Sequence, residues 1–476
     1  MSTEKSPTLR LSSGVVRGIA ENGVLRFLGI PYGEPPVGDL RFANPVPAQA
    51  WSGVRDATEF GPTAPQSQYP HPMSDLLRTV AIAGEGILTV NVWTPENAAS
   101  APIVVWVHGG AFERGTSALP GYDGSTFARD GVVFVSLNYR LGAEGFSVLD
   151  GAPLNLGLRD AALALEWVHR EAPAFGGDPS RITLMGESAG GAIVASLLSR
   201  PDSLALVSGA IIQSGPLDAP DTDHAGRVTR ALAKHFGIAP TREAFLEVSP
   251  SELVKARTLM AANSSPLAGA PSHSVAVDSD SLPLSPRFAL RDVAVPVLIG
   301  TNTDEYRLWL SPDTIASIGP VKGFIASLVA RMPRRALREV RAALPHSSPG
   351  EVLGQVLTDR ILRAPATDVA NSRAAPTYLY EFAWRSPVRD LRAAHAVEMA
   401  FTFDGVDSAD ALALSGPGAP QQLATEMHDG WVRFITTGDP GWPAFDSVRL
   451  TRVYDTESRT LPQRRAGVVD ALLTGV

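Results

Sequence analysis

The chain has 476 residues, 44% of them hydrophobic and 19% charged, a globular composition able to bury a large core. It contains 0 Cys, which excludes disulfide frameworks, thiol catalysis, Cys-based zinc sites and iron–sulfur clusters. Its 41 Lys and Arg against 49 Asp and Glu give a net charge of −8, which makes nucleic acid and anionic membrane surfaces poor partners.

In chain order, the opening MSTEKSPTLR is polar and lacks the apolar core of a signal peptide. No apolar run reaches the roughly 20 residues of a membrane helix, so a cytoplasmic protein is expected. Strands are expected over 24–30, 87–93, 103–107 and 132–137. Between the first two, 69–86 contains Pro and has no sheet character. Ala161, Leu165 and Val168 fall at i, i+4 and i+7 and mark one face of a helix, which Phe175-Gly176-Gly177-Asp178-Pro179 should end. Further strands are expected at 182–185, 210–213, 295–299 and 378–384. Several are apolar throughout, as strands covered on both faces are.

Two stretches interrupt the alternation. Residues 216–296 carry helices near 228–236 and 251–260 and then an irregular Ser/Pro-rich run, and 313–376 is mainly helical. Both are expected to line or cover a cleft. Strand–helix–strand alternation predicts an α/β fold over 1–476, a central, mostly parallel twisted sheet with helices on both faces.

The strand at 182–185 runs into Gly186-Glu187-Ser188-Ala189-Gly190-Gly191 and then an apolar helix. This is strand, G-x-S-x-G, helix. Such a turn lifts a Ser hydroxyl clear of the backbone, and a Cβ at Gly186 or Gly190 would collide with it. The helix that follows points its N-terminal amides at a developing oxyanion. Upstream, the strand at 103–107 leads into His108-Gly109-Gly110-Ala111-Phe112. The bare amides of Gly109 and Gly110, with that of Ala189, are candidates for an oxyanion hole. His108 is read as a residue that bonds the loop.

These elements, with FLGIPYGEPPVGDLRF (27–42), NVWTP (91–95), NYRLGAEGF (138–146), FGGDP (175–179) and QSG (213–215), resemble the type-B carboxylesterase/cholinesterase family of α/β-hydrolases. The resemblance spans nearly the whole chain and is greatest to the bacterial p-nitrobenzyl-esterase branch. It implies an α/β-hydrolase fold and a serine carboxylesterase working through a Ser-His-Glu triad and an acyl-enzyme, with no cofactor and no metal. The family's disulfide cysteines are absent, with Ile87 at one of their places.

A serine nucleophile needs a base, and the base needs an orienting carboxylate. A carboxylate on the loop after 295–299 would serve, and the residues alone leave Asp304 and Glu305 open. The resemblance places the acid on Glu305 and leaves Asp304 as a solvated or capping residue. Of the histidines after it, His346 lies in a polar loop and His428 sits at helical spacing with Trp431. His395 matches the family's catalytic histidine, with Glu398 three positions on and Ala396 in place of the usual Gly. The resemblance also places Ser214 near the acid and Glu187 as a buried carboxylate beside Ser188. Phe112, Tyr306 and Trp309 are candidates for the substrate pocket.

No H-E-x-x-H, P-loop or dinucleotide fingerprint is present. The expected partner is a small ester, with no nucleic acid and no membrane, for a monomer or weak homo-oligomer. Carbamates, amides or polyester oligomers are alternative substrates of the same machinery. A catalytically inactive, cholinesterase-like binding protein is the alternative of another class.

Overall fold

The computed structural model describes residues 6–262 and 272–474. The first five residues of the N-terminal segment and 263–271 of the first helical stretch lie outside the described residues.

Eleven strands form the main sheet: β1 (Ile19–Glu21), β2 (Val24–Pro31), β3 (Thr89–Pro95), β4 (Ala101–Val107), β5 (Val133–Leu137), β6 (Gly177–Glu187), β7 (Gly209–Gln213), β8 (Val297–Asn302), β9 (Thr377–Phe382), β10 (Leu450–Tyr454) and β11 (Arg459–Pro462). Their order is β1-β2-β3-β5-β4-β6-β7-β8-β9-β10-β11. From β5 to β10 every neighbouring pair is parallel, and the outer pairs are antiparallel. Every residue of β4, β5, β7, β8 and β9 is buried, as a parallel sheet covered on both faces requires. With helices on both faces, this is the α/β-hydrolase fold.

Helix α1 (Leu156–Glu171) buries Ala161, Leu165 and Val168, all at most 1% exposed. Helix α2 (Ala189–Leu198) follows β6, and every one of its residues is buried. Then come α3 (Arg227–Phe236), α4 (Pro250–Ala262), α5 (Pro320–Val329), α6 (Arg334–Ala343), α7 (Pro349–Thr358) and α8 (Gln421–Thr437). No helix among the described residues is long and apolar enough to cross a membrane.

Two differences from the sequence reading have simple causes. Asp178 and Pro179, expected as a turn, fall inside β6. Pairing with β4 jumps there from Ala101–Gly177 to Ile103–Ile182, so the residues between bulge out. Asp178 still performs turn chemistry, accepting from the Ser180 amide at 2.9 Å and its hydroxyl at 2.7 Å. Strand β3 starts at Thr89, two residues later than expected. Ile87 and Leu88 are buried in the connecting loop instead, so hydrophobicity alone misplaced the strand's start.

Candidate active site

Strand β6 ends at Glu187 and α2 begins at Ala189, leaving Ser188 alone on the turn between them. Its backbone sits at φ 55, ψ −123, a strained conformation for a residue with a Cβ. Its amide donates to Gln213 O at 2.9 Å, and its carbonyl accepts from Ala192 N–H at 3.0 Å. A Cβ at Gly190 would come within 2.0 Å of Val107 O, and one at Gly186 within 2.6 Å of Gly190 O. Gly190 therefore lets the end of β4 approach the Ser188 turn, and Gly186 lets that turn close on the start of α2.

Carbonyl-side chemistry gathers on the neighbouring loop. Gly109 has no room for a side chain: its Cβ would lie 2.6 Å from Glu187 Oε2 and 3.1 Å from Ser188 Cβ. Gly110 has φ 119, and a Cβ there would meet Arg114 O at 2.0 Å. Ala111 follows at φ 56 and lines the same cavity as Ser188. The sequence reading did not single out Ala111, although the third small residue of HGGAF was its signal. The amides of Gly109, Gly110, Ala111 and Ala189 donate to no protein acceptor among the described residues. His108 stacks on Tyr139 at 4.6 Å and its Nδ1 lies 2.8 Å from Gly109 O. Burial pulls its pKa down to about 4, so it bonds the loop as a neutral ring.

His395 Nδ1–H donates to Glu305 Oε2 at 2.6 Å. That bond places the ring's proton on Nδ1 and leaves Nε2 as the basic atom. Glu305 is fully buried. Its other oxygen accepts from Ser214 Oγ at 2.6 Å and from the Asn302 amide at 2.7 Å. The rival Asp304 faces elsewhere, 3.9 Å from Arg307 Nε. It is buried rather than solvated, and of the two expected roles it takes the capping position, at the N-cap of the 305–308 turn, without a side-chain cap bond; its burial raises its pKa. His428 is buried in α8, its Nδ1 2.8 Å from Thr402 O and its Nε2 3.1 Å from Asp130. His346 is exposed.

Nε2 of His395 lies 2.9 Å from Glu187 Oε1, outside hydrogen-bond geometry, so both atoms stay unbonded. Ser188 Oγ makes no hydrogen bond to the ring among the described residues. Burial of His395 opposes its charge, but Glu187 and Glu305 outweigh it and hold the imidazole pKa well above its usual 6.5. Glu398 completes a ring of three carboxyls. Burial first, then the charges of Glu187 and Glu305, push its pKa up to about 8. Its Oε2 accepts from Asn302 Nδ2. The sequence marked Glu398 only by its spacing from His395 and missed Asn302 entirely.

Ser188, Glu187, His395, Gly109, Gly110 and Ala111 border one cavity of about 160 Å³. Its walls are largely apolar, among them Leu76, Leu119, Leu308, Val397, Met399 and Leu414. Trp309 is half exposed and tilts over the His395 ring at 4.7 Å. Phe112 and Tyr306, expected in this lining, sit behind it. Phe112 packs edge-on against Phe146 at 4.9 Å. Tyr306 lies over Gly354, where a Cβ would come within 2.2 Å of its ring. Both rings fill core rather than pocket.

Among the described residues, 216–296 and 313–376 contribute nothing to the lining, so of the two expected roles, lining or covering the cleft, lining is not met. The walls come instead from 69–78, 109–122, 308–309 and 395–414. The reason is packing. Helices α3 and α4 close a separate apolar cluster with Phe42 and Leu156, and the later helices pack on one another around Val340, Val356 and Val469.

Residues 5–462 match the profile of the Carboxylesterase family. The chain is similar to the para-nitrobenzyl esterase of Bacillus subtilis (strain 168), 35% identical over 470 residues that cover 93% of this chain and 94% of the relative. It is similar to the phenmedipham hydrolase of Pseudarthrobacter oxydans, 35% identical over 467 residues that cover 92% and 93%. The fold matches a crystal structure of a Geobacillus stearothermophilus carboxylesterase with TM-score 0.86 and 32% identity, over 98% of this chain and 99% of that one. The sheet order, the elbow at Ser188 and these likenesses along almost the whole chain agree: the chain belongs to the carboxylesterase family and is a carboxylic ester hydrolase.

Proposed function

We propose that ester hydrolysis here runs through Ser188, His395 and Glu305 by way of an acyl-enzyme. The observation that carries this reading is the 2.6 Å bond from His395 to a fully buried Glu305, facing the cavity that also holds Ser188. His395 Nε2 takes the hydroxyl proton as Ser188 Oγ bonds to the ester carbonyl carbon. The carbonyl oxygen becomes an oxyanion, which the amides of Gly109, Gly110 and Ala189 stabilise, with Ala111 adjacent. Losing one such donor typically costs about 3–4 kcal/mol of transition-state stabilisation.

The bond to the alcohol oxygen then breaks, and His395 returns its proton to that oxygen. A water deprotonated by His395 attacks the acyl carbon, and Ser188 leaves with its proton restored. Glu305 keeps the proton on Nδ1 throughout and stabilises the transient imidazolium. Ser214 and the Asn302 amide hold Glu305 in place. The Ser188–His395 hydrogen bond forms when substrate arrives, as catalytic contacts often align only in the Michaelis complex. The aliphatic walls suit an ester with an apolar acyl or alcohol part.

A chromogenic aryl ester mixed rapidly with enzyme tests this. Acylation through Ser188 predicts a burst of about one equivalent of alcohol per chain before the steady state. Turnover with no burst under any acyl group, even where deacylation is slowed, would remove the acyl-enzyme from the mechanism. No turnover at all would favour the inactive, ligand-binding alternative.

A further inference from the structure

Helix α5 turns its apolar stripe outward. Val321, Phe324, Ile325, Leu328 and Val329 fall at i, i+3, i+4, i+7 and i+8, which is one helical face. Their exposures are 73%, 61%, 54%, 54% and 68%. The only fully buried residue of this helix is Ser327. A helix of a globular protein normally presents such a stripe to the core, and a contiguous exposed apolar patch marks an interaction surface.

The surroundings are basic. Between residues 320 and 343 stand Lys322, Arg331, Arg334, Arg335, Arg338 and Arg341, against the single carboxylate of Glu339, a local charge of +5 on a chain of −8. All six cations are exposed. Among the described residues none of them takes part in an ion pair; the neighbouring pairs use Arg307, Arg363 and Arg465. Arg360, also exposed, donates to Ala330 O at 2.7 Å and adds a further cation at the end of α5. A groove of about 610 Å³ runs between α5 and α6. Phe324, Leu328 and Leu337 border it, and Arg331, Arg334, Arg338 and Arg341 rim it.

We infer that the α5–α6 corner docks on an anionic phospholipid bilayer surface. The apolar stripe of α5 enters the boundary between headgroups and acyl chains, and the arginines pair with lipid phosphates. Charge complementarity selects this occupant. A second copy of the chain would bring identical arginine rows together, and like charges at close range oppose that contact. The net charge of the chain hid this surface from the sequence reading, because the −8 is an average over faces of opposite sign.

Sedimentation of the full chain with vesicles tests the inference. Vesicles of equal parts phosphatidylcholine and phosphatidylglycerol should bind the chain at least about tenfold better than phosphatidylcholine alone, and salt should weaken that binding. The double variants F324D/I325D and R334E/R338E should each lower partitioning by about tenfold. Both should hydrolyse a water-soluble aryl ester like the wild type, which shows that they fold. Three results overturn the proposal: no preference for anionic vesicles, undiminished binding by both variants, or a wild-type dimer that ignores vesicles and that F324D/I325D splits into monomers. The esterase mechanism survives any of them.

Discussion

Ser188→Ala should lower kcat for a small activated aryl ester by about 10⁴- to 10⁶-fold and leave the fold intact. The side chain lost is one hydroxyl at the edge of a cavity, so little packing goes with it. The backbone bonds of the turn, from Ser188 N–H to Gln213 O and from Ala192 N–H to Ser188 O, do not depend on the side chain. What disappears is the atom that, in the proposed mechanism, forms the acyl bond. Residual rate should come from the amides at Gly109, Gly110 and Ala189, which still polarise the carbonyl for attack by water. Activity near wild type, in protein with an unchanged circular-dichroism spectrum and Tm, would remove Ser188 from the mechanism.

The second large effect separates two carboxylates that touch the same ring. Glu305→Gln should cost about 10⁴-fold in kcat, because an amide no longer anchors the proton on Nδ1 or stabilises the imidazolium. Glu187→Gln should act mainly on the pH profile. His395 works as a base only when neutral, and its pKa is held well above 6.5 against a desolvation that favours the neutral ring. Activity should therefore rise with pH along a limb centred above 6.5, higher than a free imidazole would give. Replacing the Glu187 charge, whose oxygen is 2.9 Å from Nε2, removes one source of that elevation. The limb should move to lower pH, and relative activity at acid pH should increase. A kcat/KM profile whose limb stays in place would show that Glu187 does not set the titration of His395.

How much of this was legible in the sequence depends on how local the signal is. The Ser188 turn was fully legible, because G-x-S-x-G lies within one strand–turn–helix unit, Gly186 demanded by that unit's own Gly190 and Gly190 by the neighbouring Val107 carbonyl. The fully buried strands were legible for the same kind of reason: β4 and β5 are apolar at nearly every position. The edge strands β1 and β11, and β10 beside the latter, were not, since they mix polar and apolar residues and are only partly buried. The choice of Glu305 over Asp304 needed a resemblance, because adjacent carboxylates differ only in which side of the loop they leave. Ala396 shows the converse: its φ of 66 is a glycine-favoured conformation, which explains the family's usual Gly beside the histidine. The pocket was least legible. Aromatic side chains read alike in core and cleft, so Trp309 could not be told from Phe112 or Tyr306. One of the walls came from the Pro-containing 69–78 stretch, which carries no periodic pattern at all. The clustering of Glu187, Glu305 and Glu398 around one imidazole joins three segments far apart in the chain, and the only local signs of it are the spacing of Glu398 from His395 and the place of Glu187 beside Ser188.

The most direct measurement is covalent. A fluorophosphonate reacts with a hydroxyl only when a neighbouring base activates it and an oxyanion site holds its P–O group. Intact-mass analysis should show one adduct per chain, peptide mapping should place it on Ser188, and esterase activity should be lost in step with labelling. An adduct on another residue, or full esterase activity in a chain whose Ser188 is unlabelled after prolonged exposure, would contradict the account.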